Sequence, residues 1–259
     1  MSQHEGYLRQ FALEIMDTYR LEIKDATVAY NRVPAIHHLN LEIEGGHCVA
    51  LMGPNGAGKT TLLKTIAGLL RVETGEITFH GHGLKGVAHE IAYLPQREQV
   101  DWDFPITVRS LVEMGCYMRL GWWRRFGVED ERAVERAIAA MHLESLADRQ
   151  ISALSGGQQQ RAFLARSLAQ KARIFLLDEP FAGLDRPSQE SLARTVRELA
   201  GAGYIVIASH HDLKNVADFF DQMIFLNGEL IAFGDSATVF TDENIARTFD
   251  TEVFSGKHA

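Results

Sequence analysis

Leu154-Ser155-Gly156-Gly157-Gln158 lies between a glycine-rich segment at residues 53–61 and two adjacent acids, Asp178-Glu179. The apolar residues at positions 159–169 have helical spacing, so Ser155 is expected to cap the N-terminus of a helix. Two consecutive glycines weaken the start of a helix and require a reason, such as the close approach of a ligand. A hydroxyl and bare amides at a helix N-terminus favour an anion, although a purely structural capped helix has the same pattern.

The glycine-rich segment, Gly53-Pro54-Asn55-Gly56-Ala57-Gly58-Lys59-Thr60-Thr61, contains the pattern G-x-x-x-x-G-K-[ST]. Residues 47–52 predict a strand before it, and residues 59–70 predict a helix after it, with Leu69 and Leu70 on the apolar face. The glycines let backbone N–H groups converge on phosphate oxygens at a helix N-terminus, where the dipole favours an anion. Lys59 is expected to reach the β- and γ-phosphates, and the Thr60 hydroxyl to ligate Mg²⁺. A ligand-free glycine turn is rejected, because the motif and its strand and helix context would all have to arise by chance.

Asp178-Glu179 follows an unbroken apolar run at residues 174–177, which predicts a fully buried strand. Open α/β sheets bind ligands at the carboxyl ends of their strands. Because successive residues of an extended chain point in different directions, the two acids can divide their tasks. Asp178 is expected to hold Mg²⁺, directly or through water, and Glu179 to polarise the attacking water as general base. Taken alone, the pair is as consistent with an acidic turn before Pro180.

With these three motifs in this order, the sequence resembles the ATP-binding cassette (ABC) ATPases. The resemblance implies an α/β fold: a P-loop NTPase core of the ABC ATPase type, with an antiparallel β subdomain and an inserted α-helical subdomain. ATP and Mg²⁺ are the implied cofactors. The resemblance also implies that Ser155, Gly156, Gly157 and Gln158 close over the γ-phosphate bound to the phosphate loop of a partner subunit. Two chains would then stack head to tail as a homodimer around two ATP molecules, and catalysis would require the dimer.

Four further residues occupy places expected from the same resemblance. Tyr30 matches the aromatic residue that stacks on adenine, and Gln96 matches the glutamine that contacts Mg²⁺ and the attacking water. Asp185 matches the loop that crosses the dimer between the two sites. His211 matches the switch histidine that contacts the γ-phosphate, and it is preferred to His210 because an aspartate follows it. Each alone would be an ordinary strand, turn or loop residue, so their order supports the assignment.

Organisation along the chain predicts a single ATPase domain over residues 21–259. Strands and helices alternate in residues 21–96 and again after residue 155, whereas residues 97–158 are largely helical and are expected to form the inserted subdomain. Residues 1–20 are expected to be a dispensable extension, either a short accessory helix or the result of a misassigned start codon. The turn at residues 80–83 is expected to connect a hairpin rather than to bind a metal.

Composition narrows the classes of function. Of the 259 residues, 46% are hydrophobic, which is enough for a substantial core, and the formal net charge of −8 provides no basic surface for nucleic acid. Cys48 and Cys116 lie far apart without a C-x-x-C pattern, so neither a disulfide framework nor a cysteine metal site is expected. No apolar run is long enough to span a bilayer and no secretory pattern is present, so we expect a soluble, cytoplasmic protein.

The predicted helical insert indicates a class of transported substrate. Residues 101–108, 114–117 and 120–125 are similar to the manganese, zinc and chelated-iron importer branch of the family, although Cys116 stands where arginine is common. This similarity implies a subunit bound to integral membrane permease subunits at the cytoplasmic face of the inner or plasma membrane, working with an extracytoplasmic metal-binding protein. Trp102 and Phe104 would suit contact with a short permease helix, and the alternative places both rings in the core of the insert.

Three other functions are alternatives to this one. A siderophore or cobalamin-type importer would use the same machinery. A soluble, non-transport ABC ATPase usually carries two cassettes or a coiled-coil insertion, and this chain has one cassette without that addition. A P-loop kinase is disfavoured, because residues 154–158 and Glu179 would then have no task.

Overall fold

A computed structural model describes residues 19–30, 33–120, 125–213 and 216–249. Residues 1–18 of the predicted extension and residues 121–124 of the insert lie outside these ranges. In chain order the strands are β1 (Arg20–Tyr30), β2 (Val33–Glu44), β3 (Cys48–Met52), β4 (Thr74–Phe79), β5 (His82–Gly83), β6 (Ile91–Leu94), β7 (Ile174–Leu177), β8 (Ile205–His210), β9 (Gln222–Asn227) and β10 (Glu229–Asp235). The α-helices are α1 (Lys59–Ile66), α2 (Val108–Leu120), α3 (Val128–Ala140), α4 (Gly156–Ala169), α5 (Arg186–Gly201), α6 (Val216–Phe219), α7 (Ser236–Val239) and α8 (Asp242–Phe249).

The strands form two sheets. The larger sheet has the order β10-β9-β3-β8-β7-β6, in which β9 to β6 are parallel and β10 pairs antiparallel at one edge. The smaller sheet, β2-β1-β4-β5, is antiparallel. Because parallel strands point the same way, the carboxyl ends of β3, β7 and β8 lie side by side. This topology brings residues 53–61, Asp178-Glu179 and His210-His211 to one edge of the larger sheet.

Alternation along β3 divides the core into two layers. Cys48, Ala50 and Met52 belong to a buried cluster that includes residues of helices α2 to α5. Val49 and Leu51 belong to a second cluster, formed with α1 and the smaller sheet. Successive side chains of a strand point to opposite faces, so this one short, fully buried strand joins the two layers.

Helices α2, α3 and α4 pack together as a helical layer. Helices α2 and α4 approach closely at Gly115, where a Cβ would collide with the backbone oxygen of Arg166. The neighbouring Cys116 is fully buried, and its Sγ lies 3.9 Å and 3.7 Å from the carbonyl oxygens of Asp130 and Ala169. The departure from arginine at this position therefore lies inside the layer and not on its exposed surface. The predicted α/β architecture, with an antiparallel β part and an inserted helical part, is confirmed.

Helix α1 is shorter than predicted. It ends at Ile66 instead of continuing to residue 70, because Gly68 takes a left-handed conformation with φ 73° just after the Ala67 C-cap. Leu69 consequently lies beyond the helix and is 61% exposed. The prediction that Leu69 and Leu70 extend the apolar face of this helix is therefore wrong.

The connection between β4 and β5 is the predicted hairpin turn. His80 and Gly81 both take positive φ, 50° and 72°, as a two-residue turn with matching twist requires. Phe79 pairs with His82 across the turn. These two residues thus reverse the chain at the edge of the smaller sheet.

The described ranges contain no group of three or more His, Cys, Asp or Glu side chains arranged to hold a metal ion. No helix within them has both the length and the apolar character needed to cross a membrane.

Candidate active site

The segment between β3 and α1 is a tight loop whose glycines are fixed by close contacts. A Cβ on Gly53 would collide with the carbonyl oxygen of Leu226, and one on Gly58 would lie 2.7 Å from the carbonyl oxygen of Ala35. Gly56 and Gly58 also take positive φ, 84° and 96°, a region that other residues rarely adopt. The first turn of α1 has backbone N–H groups without intrahelical acceptors. The loop therefore presents closely spaced donors that suit phosphate oxygens.

Lys59 folds back over this loop. Its Nζ donates to the carbonyl oxygens of Gly53 at 2.8 Å and Pro54 at 2.9 Å, and the Ala57 N–H also donates to Pro54, at 3.2 Å. Burial lowers the pKa of Lys59, and attraction to the two carboxylates that follow β7 opposes this shift. An ammonium group has three donors, so one N–H of Lys59 is left for a ligand.

Asp178 is held by three hydroxyl groups. Ser209 Oγ donates to Oδ1 at 2.7 Å, while Thr60 Oγ1 and Tyr93 Oη donate to Oδ2 at 2.8 Å and 3.3 Å. The residue is only 1% exposed, and a buried carboxylate requires such donors. Burial, and next the nearby charge of Asp178, raise the pKa of Tyr93, so the phenol remains a donor. The contact with Thr60 joins two motifs that are separated by 118 residues.

Glu179 adopts a left-handed backbone conformation that separates it from its neighbour Asp178. Its φ is 50°, an uncommon value outside glycine, and its N–H donates to Ser209 Oγ at 2.8 Å. The Glu179 side chain lines the same cavity as the phosphate loop. Its Oε2 lies 3.6 Å from Nδ1 of His211, which is too long for a hydrogen bond but leaves the two groups adjacent.

The two histidines at the end of β8 have different environments. The His211 side chain is 58% exposed and faces Glu179. His210 is buried, with its ring centroid 5.6 Å from that of Phe181 and 6.0 Å from that of Phe220. Burial, with repulsion from His211, lowers the pKa of His210 to about 4. The geometry thus brings His211, and not His210, beside the acid.

A cavity of about 200 Å³ gathers side chains from separate motifs. Its lining comprises Ala35, Asn55, Gly56, Gly58, Lys59, Thr60, Thr61, Gln96 and Glu179. An ammonium N–H and helix N-terminal amides fit phosphate oxygens. Oxygens of Thr60, Gln96 and Asp178 are the kind of ligand that Mg²⁺ prefers. The residues present therefore fit the triphosphate of a nucleotide together with Mg²⁺.

Residues 155–158 and Asp185 form a second group, which does not line this cavity. Ser155 caps α4: its Oγ accepts from the Gln158 N–H at 3.4 Å, and its own N–H donates to Gln158 Oε1 at 2.9 Å. A Cβ on Gly157 would lie 3.3 Å from the Cβ of Ser188 in the first turn of α5. Asp185 caps that helix by accepting from the Ser188 N–H at 3.0 Å, and hydrogen bonds from Ser188 lower its pKa. Within one chain the structure therefore keeps residues 155–158 and the phosphate loop in separate groups.

Three predicted aromatic residues have different outcomes. Tyr30 ends β1, but its side chain lies outside the described part of the chain. Trp102 is half-buried. Its Nε1 donates to the Arg97 carbonyl oxygen at 2.8 Å, and its ring packs edge-on against Phe163 with a centroid distance of 5.4 Å. Phe104 is 56% exposed. From the sequence, both rings suit either a permease contact or the core, and the structure divides them. Trp102 packs within the helical layer, and Phe104 is available to a partner.

Ser209 and Tyr93 support the site, although the sequence reasoning gave neither a role. The register of the sheet explains the contact of Ser209. Leu177 of β7 pairs with Ala208 of β8, so the residues that follow them, Asp178 and Ser209, are neighbours. Tyr93 reaches an acid 85 residues away along the chain. No local pattern points to that contact.

Arg97 is a further residue that the sequence reasoning did not find. It directly follows Gln96, and its guanidinium donates to Gln159 Oε1 at 3.0 Å. A Cβ on Gly156 would lie 2.7 Å from its Nη1. Arg97 therefore connects the cavity-lining glutamine to the start of α4.

Comparison with known proteins agrees with this geometry. The family model described as ABC transporter matches residues 36–182. The zinc transport system ATP-binding protein TroB of Treponema pallidum is 41% identical over 237 residues, which cover 92% of this chain and 89% of TroB. The manganese transport system ATP-binding protein MntB of Halalkalibacterium halodurans is 42% identical over 229 residues, 88% of this chain and 91% of MntB.

A solved structure shows the same architecture. The protein cbiO1 from Clostridium perfringens, part of the ABC transporter complex cbiONQ, aligns with a TM-score of 0.76 at 25% identity, covering 89% of this chain and 94% of cbiO1. The family match contains the phosphate loop, residues 154–158 and the acidic pair. The resemblance that the sequence motifs indicate is thus confirmed: this chain belongs to the ABC transporter family, as an ATP-binding cassette that hydrolyses ATP.

Proposed function

We propose that this chain is the ATP-hydrolysing subunit of a membrane importer for a transition-metal ion, manganese, zinc or iron, or for a chelate of one. Relatives named for zinc and for manganese transport are 41% and 42% identical to it over most of the chain. The observation that carries the catalytic part is the contact between Thr60 and Asp178 beside a cavity that contains both Lys59 and Glu179. No residue of this site is suited to reading the transported metal, so other subunits would select it.

Residues of the phosphate loop would hold ATP. The loop from Gly53 to Thr61 would surround its phosphate groups with backbone N–H groups and with the remaining N–H of Lys59. Pro54 has no N–H and the Ala57 N–H donates to the Pro54 carbonyl oxygen, so these two residues would shape the loop. Thr60, Gln96 and Asp178 would hold Mg²⁺, which when bound neutralises charge that develops on the phosphate oxygens. The 2.8 Å hydrogen bond between Thr60 and Asp178 already brings two of these oxygen ligands together. Tyr30 would stack on the adenine.

Glu179 would act as the general base. Its left-handed backbone turns its side chain into the cavity, whereas Asp178 remains among the three hydroxyls. The two adjacent carboxylates can therefore serve different tasks, with Glu179 accepting the proton of the attacking water. His211, at 3.6 Å from Glu179, would donate a hydrogen bond to the γ-phosphate and orient the acid.

Catalysis would need a second copy of the chain. Ser155, Gly156, Gly157 and Gln158 form a capped, glycine-containing helix start apart from the phosphate cavity, so they have no phosphate to contact within their own subunit. In a head-to-tail homodimer they would close over the γ-phosphate of the partner, and Asp185 would lie in the loop that crosses between the sites. This arrangement gives the exposed cap a ligand that one chain alone does not provide.

The permease would bind at a groove of about 420 Å³ between the end of α1, the edge strand β6 and helix α4. We call it the docking groove; its lining includes Leu69, Ile91, Leu94, Met118, Phe163 and Arg166. Leu69 and Met118 are 61% and 58% exposed. Exposed apolar clusters of this kind mark interaction surfaces, and a groove of this type suits an amphipathic helix. Phe104, which is exposed but does not line this groove, would form a separate contact with the permease.

We propose the corresponding location and organisation. The chain would lie at the cytoplasmic face of the inner or plasma membrane, bound to permease subunits that receive the metal from an extracytoplasmic binding protein. Residues 21–259 would form one domain with residues 97–158 as its helical insert, and residues 1–20 would be dispensable.

Transport by the assembled complex tests this proposal. The tagged chain is purified from its own host with its membrane subunits, which are identified, reconstituted into liposomes and assayed for ATP-driven uptake of manganese, zinc and iron. We expect uptake of at least one ion or its chelate, and none with the Glu179→Gln complex as the matched control. A complex that hydrolyses ATP and moves none of them would contradict the metal assignment. If no membrane protein co-purifies with the chain, the transport assignment itself fails.

A further inference from the structure

Arg166 differs from the other polar side chains that line the docking groove. Tyr93 donates to Asp178, and Ser167 and Gln170 donate to backbone carbonyl groups at 2.9 Å to 3.1 Å. The Arg166 side chain makes no hydrogen bond or ion pair with any residue that the structure describes, and its Nε is buried without an acceptor. The groove therefore contains one guanidinium group with unused donors.

The position of Arg166 on α4 directs this group to the groove. Phe163, Arg166, Ser167 and Gln170 all line it, and their spacing places them on one face of the helix. The surrounding lining consists mainly of apolar side chains and backbone of β6 and of the segment after α1. It contains no aspartate or glutamate among the described residues. The cation thus lies in an apolar surface that offers it no counter-charge.

The buried, unpaired Nε makes this arrangement unfavourable in the isolated subunit. A guanidinium group stays charged and has five N–H donors in a rigid fork. Burial lowers the pKa of Arg166, which reflects the loss of solvation that the cation has undergone. Buried charges are ordinarily paired. Nothing among the described residues accepts from Arg166, so its N–H groups can donate only to solvent or to a group outside the described part of the chain.

We propose that the docking groove takes a short amphipathic permease helix that carries one aspartate or glutamate, and that this carboxylate forms an ion pair with Arg166. The inference rests on the proposed function and names the chemistry of the partner at that same surface. Apolar side chains of the helix would cover Leu69 and Met118, while the carboxylate would accept the free N–H groups of the guanidinium.

The ion pair would determine which helix is accepted, more than how tightly it binds. An apolar helix without an acid would bury the guanidinium further and leave it unpaired, which opposes docking. A helix with a lysine or arginine at that place would be repelled. A helix with its acid elsewhere would dock only in a different register. Arg166 would therefore select the permease and fix its orientation.

Affinity of the purified chain for its permease in nanodiscs tests the ion pair. Arg166→Met removes the charge and keeps an unbranched side chain. Arg166→Lys keeps the charge but loses the planar, two-pronged arrangement of the guanidinium N–H donors. The control is Arg132→Met, which removes an exposed arginine of α3 that pairs with Glu129. We expect Arg166→Met to weaken permease binding about thirtyfold or more, and Arg166→Lys to weaken it less. The control should change binding by no more than about twofold.

Measurements on the isolated chain exclude a purely structural role. Because the Arg166 side chain has no acceptor among the described residues, Arg166→Met should melt no lower than the wild type and should bind ATP equally well. A clearly lower melting temperature would show that Arg166 supports the fold and would overturn the inference. Permease binding equal to that of the wild type would also overturn it.

A double-mutant cycle identifies the partner acid. Each aspartate and glutamate in the cytoplasmic loops of the permease is replaced by its amide and combined with Arg166→Met. We expect one acid whose replacement weakens binding to the wild type and has no further effect on Arg166→Met. If every acid acts independently of Arg166, the ion pair does not exist. Failure of the proposed function looks different, since the wild-type chain would then bind no membrane protein at all and both proposals would fall.

Discussion

The nucleotide cavity and the docking groove differ in whether their charged groups have hydrogen-bond partners. In the cavity Asp178 receives three hydroxyl groups and Lys59 donates to two carbonyl oxygens. In the groove Arg166 has no partner among the described residues, and Leu69 and Met118 are exposed. A site that must repeatedly bind and release a small ligand benefits from groups fixed beforehand, because little reorganisation is needed when the ligand arrives. A surface completed by another protein can leave its groups unsatisfied until that protein binds.

Replacing the proposed base gives the largest expected effect on the cavity. Glu179→Gln should lower ATP hydrolysis about 10²- to 10⁴-fold, because the amide cannot accept the proton of the water. ATP affinity should remain, since Lys59 and Thr60 are unchanged, and an ATP-dependent dimer should appear in size-exclusion chromatography. Phosphate release and nucleotide binding measure the two effects. Glu131→Gln, an exposed acid of α3, is the control and should match the wild type; turnover near wild type in Glu179→Gln would remove its role as base.

Mixing two variants that are each expected to be inactive tests whether a second copy of the chain completes the cavity. Ser155→Arg blocks the capped start of α4, and Lys59→Ala removes the ammonium group that is proposed to contact the phosphates. A mixed dimer has one site with both defects and one site with neither, so part of the activity should return. ATPase rate measured against mixing ratio shows the recovery. Heterodimers that form and remain inactive would contradict the head-to-tail arrangement.

Substitutions of two aromatic residues of the insert test which ring packs inside the chain and which lies on a partner surface. Trp102→Ala should destabilise the isolated chain by about 2 kcal/mol, below the usual range for fully buried rings because Trp102 is half-buried. Phe104→Ala should change stability by no more than about 0.5 kcal/mol, yet reduce metal uptake by the complex. Urea unfolding and uptake measure the two. Equal loss of stability in both variants would place Phe104 in the core and contradict its assignment to the partner surface.

His210 gives the smallest expected effect, a pH dependence of stability. Its pKa in the folded chain is about 4, below the ordinary 6.5, so the unfolded chain binds the proton more tightly. The stability due to neutral His210 is therefore fully present above about pH 6.5 and is lost as the pH falls toward 4. Between about pH 7.5 and 5 the wild type should lose about 2 kcal/mol more than His210→Leu does.

Urea unfolding across this pH range is the measurement for that prediction. His82→Asn changes an exposed histidine and serves as the control, with the same pH dependence as the wild type. Parallel pH profiles for the wild type and His210→Leu would show that the buried ring does not contribute.

The features that the sequence predicts well are local. The Ser155 cap depends on residues three positions apart, and the strand before Asp178 depends on one unbroken apolar run. The phosphate loop similarly contains its own signals, because glycines are needed where the chain turns tightly. The catalytic and binding roles assigned to these residues remain predictions, and the variants above test them.

The features that the sequence misses depend on distant contacts or on competition between signals. The apolar spacing of Leu69 and Leu70 suggested a longer helix, but the conformation of Gly68 ends it. Trp102 and Phe104 have the same character in the sequence, and the contacts of Trp102 with Phe163 and with the Arg97 carbonyl oxygen distinguish them. A strand or helix pattern predicts which face of an element is apolar, and it does not predict which other element covers that face.

Tyr93 forms part of the wall between the two regions. Its ring lines the docking groove, and its hydroxyl donates to Asp178 at 3.3 Å. Any docked helix that shifts this side chain would also change the surroundings of the carboxylate proposed to hold Mg²⁺. Thermodynamic linkage then requires reciprocity: if docking changes the affinity for ATP by some factor, ATP must change the affinity for the permease by the same factor. Tyr93 is thus one contact through which the two equilibria would be linked.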